Sequence, residues 1–284
     1  MDSDNPADDK DPADDKDPKW AAIRALGELN LFVDICHNGM HAAARATATM
    51  HAMRNAEQLL NEPDRYGSEE AFSEALSDAE RAERFAQSER ELGFPYLFST
   101  ATVRLWSIME NWADSLVLLI LQGRPASRLL PLIKSLKGNL IDFVNSTEED
   151  RMQLLVEALK AEIKALHKIG VGRFETMFDA IGLGGPVDSS VRKVLLELAE
   201  TRHVIVHRGG IFDQKLADAC PWLHAVVGER LCLTNADFAA FESACLWYVL
   251  ELYRRWLELC GRPKRKGATE LMDGLAKKCQ RVSS

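Results

Sequence analysis

The stretch Tyr96–Leu121 constrains the fold more than any other part of the chain. Projected at about 100° per residue, it is a helix with two apolar faces. Phe98, Ala101, Leu105, Trp112 and Leu116 form one face; Val103, Trp106, Ala113 and Val117 form the other. A helix that is apolar on both sides has to be enclosed, so this segment predicts the centre of a helical bundle. Gly93-Phe94-Pro95 breaks the chain before it, and Gly123 and Pro125 end it. Glu110 is inserted among the residues of the second face, where a carboxylate is expensive unless paired.

Other segments carry the same helical period. In Trp20–Leu60, Ile23, Leu26, Leu29, Val33, Cys36, Met40 and Ala44 recur three and four apart, which predicts one long helix. Pro63 and Gly67 mark a turn, and Ser68-Glu69-Glu70 opens a second, more charged helix to Glu91 with Phe72, Leu76 and Phe85 on one side. Together they predict an N-terminal helical hairpin over 20–92. A weaker helical piece reaches Asn145. A capped helix follows from Ser146-Thr147-Glu148 to His167, with Leu154, Leu155, Ala158 and Ile163 inward, then a short one over Arg173–Ile181. The last long helix begins at Asn235 and runs through Phe238, Phe241, Cys245, Tyr248, Leu252 and Trp256. Between Gly210 and Thr234 the pattern is irregular, with one short β-hairpin expected near 226–233. The fold class is therefore all-α, with that hairpin as the only strand element.

The ends differ in charge. Met1–Lys19 holds eight aspartates against three lysines and repeats Pro-Ala-Asp-Asp-Lys in tandem. It reads as a disordered acidic tail over 1–19. From Arg262 onward there are seven basic residues and two acidic ones, so 263–284 reads as a basic tail, either solvated or touching phosphates. The net charge of −8 argues against bulk coating of nucleic acid but leaves room for a small basic pocket. No apolar run is long enough to span a bilayer and no secretory leader is expected, so the expected location is cytoplasmic, with no membrane partner. The six cysteines include no C-x-x-C pair and read as reduced core residues. His37 and His41 stand four apart and can reach one ligand, but no carboxylate-rich partner motif accompanies them. No metal or cofactor is expected.

One helix carries the chemistry. From Val191 a stripe of Val194, Leu195, Leu198, Ile205 and Val206 leads to Thr201-Arg202-His203-Val204-Ile205-Val206-His207-Arg208-Gly209-Gly210. Asp188-Ser189-Ser190 caps its start and the two glycines stop it. Arg202 falls inside the apolar stripe. His203 and His207 share the border of that stripe, one turn apart. Glu110 and Arg202 pose the same burial problem on different helices, and the simplest solution pairs them side by side.

The sequence Arg202-His203-Val204-Ile205-Val206-His207 resembles the R-x4-6-H signature of the HEPN superfamily. The likeness extends to Gly-x-x-Arg-Phe-Glu-x-Met at Gly170–Met177, Leu-Gly-Gly at Leu183–Gly185, Gly-Gly-Ile-Phe-Asp after the helix, Cys220-Pro221, and Gly-x-x-Leu-x-Leu from Gly228. It spans roughly Phe94 to Gly261, which makes 93–262 a HEPN-like domain behind the hairpin. The resemblance implies a metal-independent endoribonuclease that transfers an RNA phosphodiester to its own 2′-hydroxyl. It also implies a homodimer in which two motifs face one cleft, and a toxin-like or defence role with a regulatory or antitoxin partner. In that scheme His207 moves protons, Arg202 stabilises the phosphate, His203 assists and Glu110 orients the arginine. Three readings compete with it. Arg202 is a buried ion-pair residue and the histidines simply end a helix. His203 and His207 bind a metal, although Val204 stands where a zinc protease carries its glutamate. Or the domain binds RNA and dimerises without catalysis.

Overall fold

The computed structural model describes residues 18–122, 144–165, 170–262 and 267–280. Most of the described chain is helical: α1 (Pro18–Ala43), α2 (Ala46–Leu60), α3 (Glu69–Glu91), α4 (Pro95–Gln122), α5 (Glu148–Ala165), α6 (Val171–Ala180), α7 (Ser189–Arg208), α8 (Gln214–Ala219), a 3-10 turn at Pro221–Leu223, α9 (Asn235–Leu259) and α10 (Ala268–Cys279). No described helix is long and apolar enough to cross a membrane. The all-α expectation holds.

Helix α4 is the centre, as its two apolar faces require. Leu105, Ala113 and Val117 on it are fully enclosed. It is packed by α1, α5, α7 and α9. Trp106 on the second face stacks on Phe174 of α6 at 5.4 Å, and Trp112 on the first meets Tyr248 of α9 edge-on at 6.2 Å. The expected separation of an N-terminal hairpin from the rest is not a separation of cores. Ala22, Leu26, Leu29 and Val33 of α1 lie in the same hydrophobic cluster as α4 and α9. Each such leucine contributes roughly 1.5–3 kcal/mol by leaving water.

The single helix expected over Trp20–Leu60 is two helices, broken at Ala44-Arg45. No glycine or proline marks the break; a tertiary contact makes it. Glu83 of α3 accepts hydrogen bonds from the Thr47 backbone N–H, at 3.0 Å, and from the Thr47 hydroxyl, so it caps α2 from outside. At the other end of α3, the buried Glu89 carboxylate accepts the Tyr96 N–H at 2.9 Å and caps α4 in the same way.

The expected hairpin at 226–233 is absent, and the strand partner is different. The Gly209-Gly210 turn brings the chain back so that Ile211 bridges Arg230, with Phe212 N–H donating to Glu229 at 2.8 Å and Leu231 N–H to Gly210 at 2.8 Å. The C-terminal segment is also corrected. Within 263–284, residues 268–279 form α10, which buries Met272, Leu275 and Cys279 at helical spacing against α9 and α7. The basic residues mask an amphipathic period there. The acidic stretch 1–17, the piece at 123–143 and His167 lie outside the described residues.

Asp188 caps α7 as expected, accepting the Ser190 and Val191 N–H groups at 2.8 and 3.2 Å. The Ser190 hydroxyl, which also donates to this carboxylate, and the two amides hold Asp188 below its usual 3.8. A depressed carboxylate stabilises the fold above its unfolded value and loses that effect as pH falls through the folded one. Asp188→Ala therefore costs about 1 kcal/mol at neutral pH. In urea titrations the gap between the two proteins closes once the pH drops well below that ordinary aspartate value.

Candidate active site at the end of α7

The first half of α7 follows the expected stripe, with Val191, Val194, Leu195 and Leu198 buried. From Glu197 onward the buried face rotates. Glu197, Glu200, Thr201 and Val204 are enclosed, whereas Val206 is 47% exposed and Ile205 only half-buried. The cause is the segment after the helix. Phe212, Leu216 and Cys220 form a second small core with Val204, and α8 covers that side of α7. Asp213 caps α8 by accepting the Leu216 N–H at 2.9 Å. This short helix was legible in principle from Asp213 followed by Leu216 and Ala217, but it lies in a stretch that reads as irregular.

The rotation decides what the motif presents. Arg202, expected inside the stripe, is half-buried at its new edge. His203 is half-buried and His207 exposed, with ring centroids 4.7 Å apart. The Nε of Arg202 is enclosed and, among the described residues, has no hydrogen-bond partner. An orphaned buried donor costs roughly 1–3 kcal/mol, and because this Nε is enclosed, an outside acceptor would have to be met by the terminal nitrogens of the half-buried guanidinium.

The expected partner is not at hand. Among the described residues no hydrogen bond or ion pair joins Glu110 to Arg202. Glu110 instead lines a cavity of about 260 Å³ between α4, α5 and α6, together with Asp114, Lys160, Arg173, Phe174 and Met177. The helices do pack, but Glu110 sits on the α6 side of α4. The pairing inferred from helical projections is therefore corrected: the projection gives a face, not a neighbour.

The charged groups that do surround the histidines went unread in the sequence. Lys215 of α8 pairs with the buried Glu200 at 2.8 Å, Asp213 stands 3.7 Å from Arg208, and Glu197 accepts the Trp222 indole N–H at 3.0 Å. These contacts explain how two glutamates sit inside α7 without unfolding it. They also bias His203. Partial burial, then the nearby Lys215 and His207, hold its imidazole below the usual 6.5, against the weaker pull of Glu200 and Asp213. His203 is thus neutral and able to accept a proton near pH 7. Its lowered value favours folding above the ordinary imidazole range and loses that effect as pH falls through the folded value. A proton NMR titration is expected to show His203 titrating below 6.5 and moving upward in Lys215→Met.

Cys220 is chemically quiet, since burial followed by Glu197 and Glu200 pushes its thiol up to about 12. Among the described residues the rings of His37 and His41 pack on each other and on Phe94, at 4.7, 4.4 and 5.2 Å between centroids. Among the described residues no three metal-ligating side chains converge.

The other segments flanking the motif serve to place α7. Gly170 has φ +55°, and a Cβ there would lie 3.0 Å from the Leu196 backbone, so α6 approaches α7 this closely only with glycine. Gly185 is pressed against Arg255, whose Nε would be 2.9 Å from an added Cβ. Chemically, the end of α7 offers one guanidinium without an acceptor among the described residues, one neutral half-buried imidazole and one exposed imidazole. The chain matches no protein-family model, no curated protein and no solved structure.

Proposed function

We propose that this protein is a metal-independent endoribonuclease whose reacting groups are Arg202, His203 and His207. The observation that carries the reading is the half-buried Arg202, with no carboxylate partner among the described residues, on the same helix end as an exposed imidazole. A guanidinium neutralised by Glu110 would have been a structural ion pair; this one keeps its charge for a phosphate. The reaction is attack of the RNA 2′-hydroxyl on its own phosphodiester, leaving a 2′,3′-cyclic phosphate and a 5′-hydroxyl. An imidazole takes the 2′-proton, an imidazolium returns one to the departing 5′-oxygen, and Arg202 binds the non-bridging oxygens. Glu110 has no part in it.

One motif offers few groups for two proton transfers, so the working form is a homodimer with two α7 ends at one cleft. Val206, Ile211, Val226 and Val227, all on α7 or the segments just after it, are 40–60% exposed and give this end apolar surface for a second copy to cover. A role as a toxin or defence effector, held in check by a partner, follows from the same resemblance.

The test is incubation of a mixed RNA pool with excess chelator. Cleavage that persists, with single-stranded DNA of matched sequence left intact, is the expected result, because DNA has no 2′-hydroxyl. Tight binding without cleavage supports the binding module instead, and cleavage abolished by the chelator supports a metal site.

A further inference from the structure

A cavity lies away from the motif, where the start of α1, the C-terminal half of α9 and the start of α10 meet. The cavity there holds about 170 Å³. Its body is apolar: Trp20 and Ile23 from α1, Leu250 and Leu257 from α9, Leu271 and Met272 from α10. Trp20 and Leu271 are 37% and 53% exposed, so two large apolar side chains face open space beside a cavity they help to line. The walls are braced. The Lys19 ammonium sits 4.1 Å from the Trp20 ring centroid and 3.6 Å from that of Tyr253, which locks α1 to α9. A dry cavity of about 150 Å³ accepts a benzene-sized molecule, so this space has room for one.

The polar groups at its edge select the charge of the ligand. Arg254 is already matched by Glu251 at 2.7 Å and Glu258 at 2.6 Å. Arg262 lines the same cavity and, among the described residues, has no carboxylate partner. Tyr253 and Thr269 also line it, and their hydroxyls make no hydrogen bond among the described residues. Glu258 also lines the cavity but is paired with Arg254, so an apolar pocket whose Arg262 has no carboxylate partner among the described residues is matched by a small organic acid.

We infer that the cavity between α1, α9 and α10 binds a small amphipathic monocarboxylate, with a benzene-sized apolar body against Trp20, Leu250 and Met272 and its carboxylate on Arg262. The site shares no residue with the Arg202–His207 end and stands independently of the proposed RNA cleavage.

Calorimetric titration of the full chain with phenylacetate tests this, with phenylacetamide and phenethylammonium as neutral and cationic counterparts. Phenylacetate is expected to bind at one site per chain, the amide about tenfold more weakly and the ammonium not measurably. Arg262→Ala, at an exposed position, brings phenylacetate down to the level of the amide. Leu271→Trp fills the cavity from its exposed side and abolishes binding, while circular dichroism shows both variants folded. Absence of saturable binding overturns the inference, as does equal affinity for acid and ammonium, or undiminished binding by Leu271→Trp.

Discussion

His207→Ala is expected to lower the rate of chelator-resistant RNA cleavage by roughly 10²–10⁴-fold, the range in which a positioned acid or base contributes. The fold should not register the change, since the side chain is exposed and its ring contact among the described residues is with His203. Circular dichroism and urea midpoints should therefore superimpose on those of the parent, which separates catalysis from structure. Arg202→Ala is expected to cost about 10²–10³-fold, as for removal of one donor to a developing oxyanion. Arg202→Lys keeps the charge but not the planar fork and recovers little of this. Initial rates on one short RNA, with all three variants compared at equal concentration, give the answer. Full activity in His207→Ala would remove the exposed imidazole from the mechanism.

Arg255→Ala is expected to be the most destabilising single change among those considered. Arg255 is 6% exposed and donates to Glu251 at 2.9 Å, to both Glu175 oxygens at 3.2 and 3.0 Å, and to the carbonyls of Leu183 at 3.2 Å and Pro186 at 2.7 Å. The Tyr248 hydroxyl donates to the same Glu175 at 2.6 Å, and burial followed by that carboxylate pushes the phenol well above its usual range. One side chain thus ties α9 to α6 and to the loop that leads into α7. Its removal strands Glu175 beside a buried phenol and frees the loop, and breaking a buried pair from one side costs about 3–5 kcal/mol. Arg255→Lys should rescue only a minor part, because a point charge cannot reach two carboxylates and two carbonyls at once. Gly185→Ala should shift stability in the same direction by displacing the guanidinium. Urea denaturation with a fitted slope measures all three. A loss below about 1 kcal/mol for Arg255→Ala would mean that the network is peripheral.

The contrast between these two sites shows what a sequence discloses. Tyr96–Leu121 was legible because an excess of apolar residues around a helix leaves only enclosure as an outcome. The Asp188 cap and the Gly209 stop were legible because both act on neighbouring backbone. The Ala44-Arg45 break was not, since Glu83 produces it from another helix. For the same reason Glu110 was matched to the wrong neighbour, and Val206 was placed inside when the α8 side of α7 is the covered one. Nothing in the sequence marks Arg255, because one arginine on a long amphipathic helix looks like solvated surface. Glu197 and Glu200 were likewise passed over, although they settle which face of α7 is buried. The positions of Arg202, His203 and His207 on one helix end could be read from their spacing; their neighbours could not.

The most direct test of the central claim uses a short RNA that the protein cuts at one position. A second copy carries a single 2′-deoxy substitution at the nucleotide supplying the attacking hydroxyl. With chelator present, the account predicts a 2′,3′-cyclic phosphate and a 5′-hydroxyl on the all-ribose strand, and no cut at that position in the substituted one. Cleavage of the substituted strand at the same position, or products ending in a 5′-phosphate, would contradict it.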